Sequence, residues 1–290
     1  MLKTAALIKL VKSMSKGEKR NFKLLSQKTG ENKKLYVQLF DYLDKYGRLD
    51  EKHMFKKLPQ IKKSQLPNLK AVLSKHLLRS LRDINKDEYP EIKARERFDF
   101  AKVLYAKGQY RESLKMLNIV KQMAIKINQK PLEYLALSFE KQIESQHVTK
   151  SMSSKAYELM SESNGILDNL YLTNELSNLS LLLYARYLEK GYVKNEEEFK
   201  KLHKYFHSIL PVLQINDLDF YQKLYLYQSY TWFYHMAQDF LNYYKYSLKW
   251  VNLFEEHPEM KVPATSIYIK GLHNVSVSYT HLTLPTTPYV

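Results

Sequence analysis

The chain has 290 residues, of which 44% are hydrophobic and 26% are charged, and it contains no cysteine. This length exceeds the roughly 100–200 residues of a typical compact domain, so we expect one elongated array or two joined units. The lack of cysteine excludes disulfides, thiolate catalysis and cysteine metal sites. No uninterrupted apolar run resembles an export signal or a membrane span, and together these features predict a cytoplasmic protein without a membrane span.

The positive charge is concentrated in the first third of the chain. Residues 1–90 hold 22 Lys and Arg against 9 Asp and Glu, a net charge of +13. Residues 91–290 hold 24 against 21, a net charge of +3. This asymmetry predicts two regions with different surfaces and suggests an anionic partner for the first of them.

The sequence of residues 1–90 predicts a cluster of short amphipathic helices. Helices are expected over about residues 2–13, 15–27, 33–46, 50–58 and 64–85. Ser15 and Glu18 have the spacing of a capping box at the start of the second helix. Gly47 is placed to end the third helix. Because amphipathic stripes of this kind must pack on one another, we predict a basic helical head domain at residues 1–88.

From about Pro90 the helices lengthen and come in pairs. One predicted helix ends at Gly108 and the next begins within two residues, which makes the two helices antiparallel neighbours. Similar turns are expected near residues 147–150, 191–195 and 238–239, at spacings of about 41, 42 and 47 residues. A recurring unit of this length predicts an α-solenoid of antiparallel helix pairs at residues 89–275.

The turn Gly108-Gln109-Tyr110, followed by Ser113 and Leu117, resembles the middle of a tetratricopeptide repeat. Val120 departs from that pattern, since a second small residue is usual there. Further segments resemble a bacterial family of tetratricopeptide-like proteins over about residues 8–275; they are residues 13–24, 35–41, 188–191, 196–199 and 254–258. The resemblance implies an all-α fold with a basic head followed by repeats, and it implies no activity.

The C-terminal segment differs in character from the rest of the chain. Residues 276–290 leave the helical periodicity and resemble a translated sequencing adapter, so we expect a non-native or disordered tail there. Members of the resembled family continue further, which implies a truncated array. An array of this kind exposes the apolar face that the next repeat would cover, and we therefore predict self-association through the C-terminal end.

Catalytic and metal-binding motifs are not found in the sequence. The seven glycines are each at least 13 positions apart, which rules out a Gly-rich phosphate loop. His203 and His207 share one helical face downstream of Glu196–Glu198, a spacing that fits a divalent metal if a carboxylate joins them. The alternative is two ordinary histidines among lysines that repel a cation, and we favour it. We predict a protein that is not an enzyme and uses no cofactor.

Two rows of cations are candidate phosphate- or anion-binding sites in the head. They are Lys16, Lys19, Arg20 and Lys23 on the second helix, and Lys75, Arg79, Arg82 and Lys86 on the last head helix. Each row follows one helical face and has the spacing to track phosphates. The alternative is a solvated polar face that keeps the protein soluble.

Aromatic residues are dense between Phe220 and Trp250, where thirteen of 31 residues are Phe, Tyr or Trp. A helix that is apolar on two faces is typical of the inner helix of a repeat, so core packing is expected for most of these rings. The candidates for a peptide groove are Tyr221, Tyr225, Trp232 and Tyr243.

The sequence therefore predicts a non-enzymatic scaffold that holds a peptide or partner protein on a helical-repeat surface. The alternative is a nucleic-acid-associated regulator whose basic head contacts the phosphate backbone.

Overall fold

The computed structural model describes residues 2–27, 35–86, 88–147, 152–212 and 218–283. These residues form thirteen α-helices joined by turns and two single 3₁₀ turns, and no strand occurs among them. The predicted all-α class is confirmed. The chain divides into two compact units, residues 1–93 and 94–290.

The first unit is a small helical domain around one apolar core. Its helices are α1 (Thr4–Ser13), α2 (Lys16–Gln27), α3 (Leu35–Tyr46), α4 (Glu51–Lys57) and α5 (Leu66–Asn85). The core is formed by side chains such as Leu7, Phe22, Phe40, Leu73 and Leu77, none of which is more than 1% exposed. The ring of Phe22 lies 4.7 Å from that of Phe40, which joins α2 to α3.

The helix ends of this unit follow the signals in the sequence. Ser15 accepts a hydrogen bond from the Glu18 amide, and the Glu18 carboxylate accepts one from the Ser15 amide, so the predicted capping box is confirmed. Gly47 adopts φ +63° directly after α3, and its amide donates to the Leu43 carbonyl at 2.8 Å. This left-handed conformation favours glycine and ends the helix as expected.

The second unit contains most of α6 and all later helices. They are α6 (Pro90–Ala106), α7 (Tyr110–Lys126), α8 (Lys130–His147), α9 (Met152–Lys190), α10 (Glu196–Ile209), α11 (Phe220–Met236), α12 (Phe240–Glu256) and α13 (Thr265–Thr283). Consecutive helices pack as pairs: α7 on α8, α8 on α9, α11 on α12, and α12 on α13. The Ser113 hydroxyl on α7 donates to the Ala101 carbonyl on α6 and brings these two helices into close contact.

Three of the helix–helix turns share one geometry. Gly108, Asn128 and Gln238 each adopt a positive φ two positions after the last residue of a helix, at 74°, 53° and 58°. In each turn the next amide donates back five residues, as Gln109 does to Leu104 at 3.0 Å. These are Schellman turns, which reverse the chain within three residues. Two of them were predicted, and the turn at Asn128 was not.

Helix α9 does not fit a regular repeat. It runs for 39 residues, about 58 Å at 1.5 Å per residue. Its first half packs beside α8 through Leu159 and Ile166, and its second half packs beside α10 and α11 through Leu176 and Leu183. The spacing of 41–47 residues therefore does not describe the helices, because the turn at Asn128 is additional and α9 serves two neighbouring groups of helices.

Helix α13 continues through Thr283, across the position where the sequence predicted the tail to begin. Residues 276–283 form the last part of this helix, and residues 284–290, the rest of the expected tail, lie outside the described ranges. Helix α13 packs against α12 through a face of small residues. All three of these residues are buried: Gly271, Asn274 and Ser278. Spacings of three and four residues place them on one helical face. The Phe240 ring also stacks on His281, 4.4 Å between centroids.

Candidate functional site

The four predicted groove residues lie in different environments. Tyr221 and Tyr225 are half-buried, and their rings stack at 6.4 Å. Trp232 is 8% exposed and Tyr243 is 1% exposed, so these two belong to the core rather than to a surface. The Tyr243 hydroxyl donates to Asn274 Oδ1 at 2.9 Å, and burial raises its pKa strongly. Tyr243 thus holds α12 against α13.

Trp232 is covered from two sides. Its ring lies 4.8 Å from Tyr184 and 5.5 Å from Tyr187 of α9. The Lys270 ammonium group of α13 lies over the Trp232 ring at 5.0 Å and over the Tyr184 ring at 4.5 Å. Burial beside these rings lowers the pKa of Lys270. This cation–π contact lets a single α13 side chain hold α9 and α11 together.

A different set of tyrosines reaches the surface of α11 and α12. This tyrosine surface consists of Tyr227, Tyr230, Tyr234 and Tyr246, all half-buried. The ring of Tyr246 stacks on Tyr230 at 4.4 Å and on Tyr234 at 5.4 Å, with interplanar angles of 20° and 21°. The spacing of three and four residues on α11 aligns its three rings, and α12 inserts the fourth.

The hydroxyl groups of the tyrosine surface remain available. None of the four donates or accepts a hydrogen bond within the described ranges. Burial raises the pKa of Tyr246 to about 12 and raises the pKa of Tyr230 and Tyr234 as well. The phenols therefore stay protonated at neutral pH and can donate to a ligand. Lys249 lies over the Tyr246 ring at 5.0 Å and adds a cation at the edge.

The sequence contained a signal for this surface that the predictions did not use. Tyr227, Tyr230 and Tyr234 recur at steps of three and four residues, but the predictions selected the opposite face of α11, which carries Trp232. The face with the largest aromatic residue is the one packed against α9. Periodicity shows that α11 has two apolar faces, but it does not show which face is covered.

The predicted basic row of α2 is divided between solvent and α3. Lys19 pairs with Asp44 and Lys23 pairs with Asp41 of α3, both at 2.7 Å. Lys16 and Arg20 are exposed on the outer side of the helix. Two of the four cations therefore connect helices within the unit, while two face solvent.

The predicted basic row of α5 faces solvent. Lys75, Arg79 and Arg82 are exposed, and Lys86 is half-buried. Arg82 pairs with the adjacent Asp83 at 3.1 Å, at the surface. All four lie opposite the buried leucines of the helix.

The histidine pair on α10 lies outside any metal-binding group. The His203 and His207 rings are 4.2 Å apart, and both residues are exposed. The nearby carboxylates are engaged with lysines, since Glu196 pairs with Lys200 at 2.9 Å and Glu197 with Lys201 at 2.6 Å. Among the described residues, no group of three His, Asp or Glu is placed to hold a metal.

A pocket beside α10 is positively lined. It has a volume of ≈ 380 Å³, and its charged lining consists of Arg186, Lys190, Lys194, Lys201 and a single carboxylate, Glu198. This lining opposes a cation and suits a small anion. The floor is apolar, formed by Leu202 and Met236.

Comparison with protein-family models, curated proteins and solved structures gives no match for this chain. The resemblance to a tetratricopeptide-like family therefore stays a prediction. No helix in the described ranges is long and apolar enough to cross a membrane.

Proposed function

We propose that this protein is a non-enzymatic scaffold that binds a partner protein through the tyrosine surface of α11 and α12. The observation that carries the proposal is the stack of four half-buried tyrosines whose hydroxyl groups have no partner within the described residues. Tyrosine is enriched in protein-binding hot spots because its ring buries a large area and its hydroxyl donates a directed hydrogen bond. The consecutive helix pairs support the finer proposal of a tetratricopeptide-like solenoid that presents this surface.

A capture experiment with matched variants tests the proposal. The full chain is immobilised and exposed to a nuclease-treated lysate of the cells that produce it. We expect a discrete protein to be retained by the wild type and to bind at least tenfold more weakly to a Tyr230→Phe/Tyr246→Phe variant. This variant removes two hydroxyls and keeps the stacked rings, so the fold is preserved.

A control variant tests whether the effect is specific to the tyrosine surface or follows from the loss of any two tyrosine hydroxyls. Tyr157 and Tyr171 on α9 are 73% and 68% exposed, and Tyr157→Phe/Tyr171→Phe should retain the partner as the wild type does. Equal retention by all three proteins would overturn the assignment of the surface. A parallel capture from untreated lysate completes the test: proteins retained from untreated lysate but none from nuclease-treated lysate would overturn the scaffold itself.

The proposal also includes self-association through α13. Four apolar residues on this helix are between 41% and 58% exposed: Ile269, Leu272, Tyr279 and Leu282. An exposed apolar stripe of this kind favours contact with another apolar surface. Sedimentation should show an average mass that rises with concentration in the micromolar range, and a constant monomeric mass would contradict this part.

A further inference from the structure

The outer face of α5 carries a row of several cations. Lys75, Arg79, Arg82 and Lys86 recur at steps of three and four residues, which places them in one row of about 16 Å. The buried residues Leu73, Leu77 and Ser80 lie on the opposite side of the helix. Because this side of α5 is packed in the core, the four cations face solvent, and their side chains need no rearrangement to meet a ligand.

Most carboxylates among the described residues of this unit are engaged in internal contacts, whereas Glu51 and Glu88 are exposed. Asp41 and Asp44 pair with lysines of α2, and Asp83 pairs with Arg82. Glu18 and Asp50 accept hydrogen bonds at the starts of α2 and α4. Lys75 and Arg79 make no ion pair with any described residue. Lys75 and Arg79 therefore contribute positive charge that no described carboxylate pairs with, whereas Arg82 and Lys86 have partners of their own.

A second helix of the same unit also carries exposed cations. Asn21 of α2 contacts Ser80 of α5 at 3.3 Å, and α2 packs alongside α5 in the core of the unit. Lys16 and Arg20 are exposed on α2. Because α2 contacts α5 on the side away from the basic row, that row consists of the cations of α5 alone.

We propose that the basic row of α5 binds the phosphate backbone of a nucleic acid. A row of cations at helical spacing neutralises successive phosphates, and it carries no donor–acceptor pattern for reading bases. An anionic membrane fits less well, because Leu73 and Leu77 of α5 are buried in the core. Leu78 and Ile84 are exposed, but a spacing of six residues places them about 120° apart around the helix, so they form no continuous apolar face that could enter a lipid interface. This inference is independent of the tyrosine surface and of any protein partner.

Binding to a fluorescently labelled 20-base-pair duplex, measured by anisotropy across a salt series, tests the proposal. Four phosphate contacts predict a loss of affinity of roughly 150-fold between 50 and 200 mM salt. In Lys75→Gln/Arg79→Gln, with two contacts removed, the loss over the same range should fall to roughly 12-fold. Both positions are exposed, and circular dichroism verifies that the variant keeps its helical content.

A control variant that also loses two positive charges distinguishes binding at the α5 row from an effect of the net charge of the protein. Lys126 and Lys245 are exposed lysines of the second unit. Lys126→Gln/Lys245→Gln should bind with the wild-type salt dependence. Equal weakening in both double variants would overturn the proposal, because it would reduce the effect to overall charge. Tighter retention on vesicles containing anionic lipid than on DNA or RNA, lost in Lys75→Gln/Arg79→Gln, would also overturn it and assign the row to a membrane surface.

Discussion

Gly271 of α13 lies directly against the indole of Trp250 on α12. A Cβ added at Gly271 would lie 3.1 Å from Nε1 and 3.2 Å from Cδ1 of that ring. Trp250 is only 1% exposed, so the ring has little space to move aside. The absence of a side chain at Gly271 is what permits the close approach of the last two described helices.

Gly271→Ala should therefore destabilise the protein by about 1–2 kcal/mol, because overpacking outweighs the better helix propensity of alanine. Gly165 in α9 provides the matched control, since an added Cβ meets nothing within 4 Å there. Gly165→Ala should stabilise by about 0.5–1 kcal/mol. Urea unfolding of both variants measures the difference, and a stabilising Gly271→Ala would contradict the packing described here.

Burial of His235 makes stability depend on pH. Desolvation, assisted by the nearby charge of His281, lowers the pKa of His235 to about 4. In the unfolded chain His235 binds a proton near pH 6.5, whereas in the folded chain it does so only near pH 4. Its contribution to the free energy of unfolding is therefore complete above pH 6.5 and is lost as the pH falls from 6.5 to 4. The loss amounts to about 3 kcal/mol.

Thermal unfolding between pH 7 and pH 4 checks this expectation. His235→Leu should flatten the pH profile, whatever its stability at neutral pH. His273→Leu changes an exposed histidine of α13 and should leave the slope as it is in the wild type. A His235→Leu profile as steep as the wild type would assign the pH dependence to other groups.

Lys121 is a buried cation that joins three helices. Its ammonium group lies 2.7 Å from Glu140 of α8 and 3.0 Å from Glu162 of α9. Burial lowers the pKa of Lys121, but the hydrogen bonds that its ammonium group donates to the two carboxylates outweigh this effect and raise the pKa overall. The charge therefore persists at neutral pH, and it compensates the buried carboxylate of Glu140, which also lies 3.4 Å from Lys155.

Lys121→Ala should destabilise the second unit by up to about 3 kcal/mol, because it removes the closest partner of the buried Glu140 and leaves it only Lys155, at 3.4 Å. Lys115 on the same helix is 72% exposed and pairs only with Glu112, so Lys115→Ala should change stability by less than about 0.5 kcal/mol. Chemical denaturation compares the two, and equal effects would show that the buried network contributes no more than a surface pair.

Substitutions at Gln238 distinguish the effect of backbone strain from the effect of a side-chain hydrogen bond. Gln238 adopts φ +58°, and its side-chain amide donates to the Val193 carbonyl at 2.8 Å. Both Gln238→Ala and Gln238→Gly remove this bond, but only glycine relieves the left-handed backbone. We expect Gln238→Gly to be more stable than Gln238→Ala by about 1 kcal/mol in thermal or urea unfolding. Equal stabilities would indicate that the backbone relaxes out of the left-handed region.

Local signals in the sequence predicted the elements of the fold well. The capping box at Ser15 and Glu18 and the glycine turns at Gly47 and Gly108 all occur where they were expected. Asn128 was missed because asparagine in a left-handed turn looks like any polar residue within a helical pattern. The sequence also did not predict that α9 is one continuous helix, because one long helix and two shorter helices have the same hydrophobic period of 3.6 residues.

The candidate sites were less predictable because they depend on which face of a helix is covered. Lys19 and Lys75 occupy equivalent places in their sequence patterns, yet Lys19 pairs with Asp44 of another helix and Lys75 faces solvent. Trp232 and Tyr230 likewise differ only in the neighbour that α11 meets on each side. Such contacts are long-range, and a single sequence does not encode them in its local spacing.

The continuity of α9 constrains how the chain can change in length. Leu159 and Ile166 face one group of helices, while Leu176 and Leu183 face another, and all four sit on a single uninterrupted helix. A single residue inserted between Ile166 and Leu176 would rotate every later side chain by about 100° and turn one set of leucines away from its neighbours. Insertions of seven residues nearly restore the angular register but separate the two groups by about 10 Å. Changes of length are therefore tolerated at the ends of α9 and not within it.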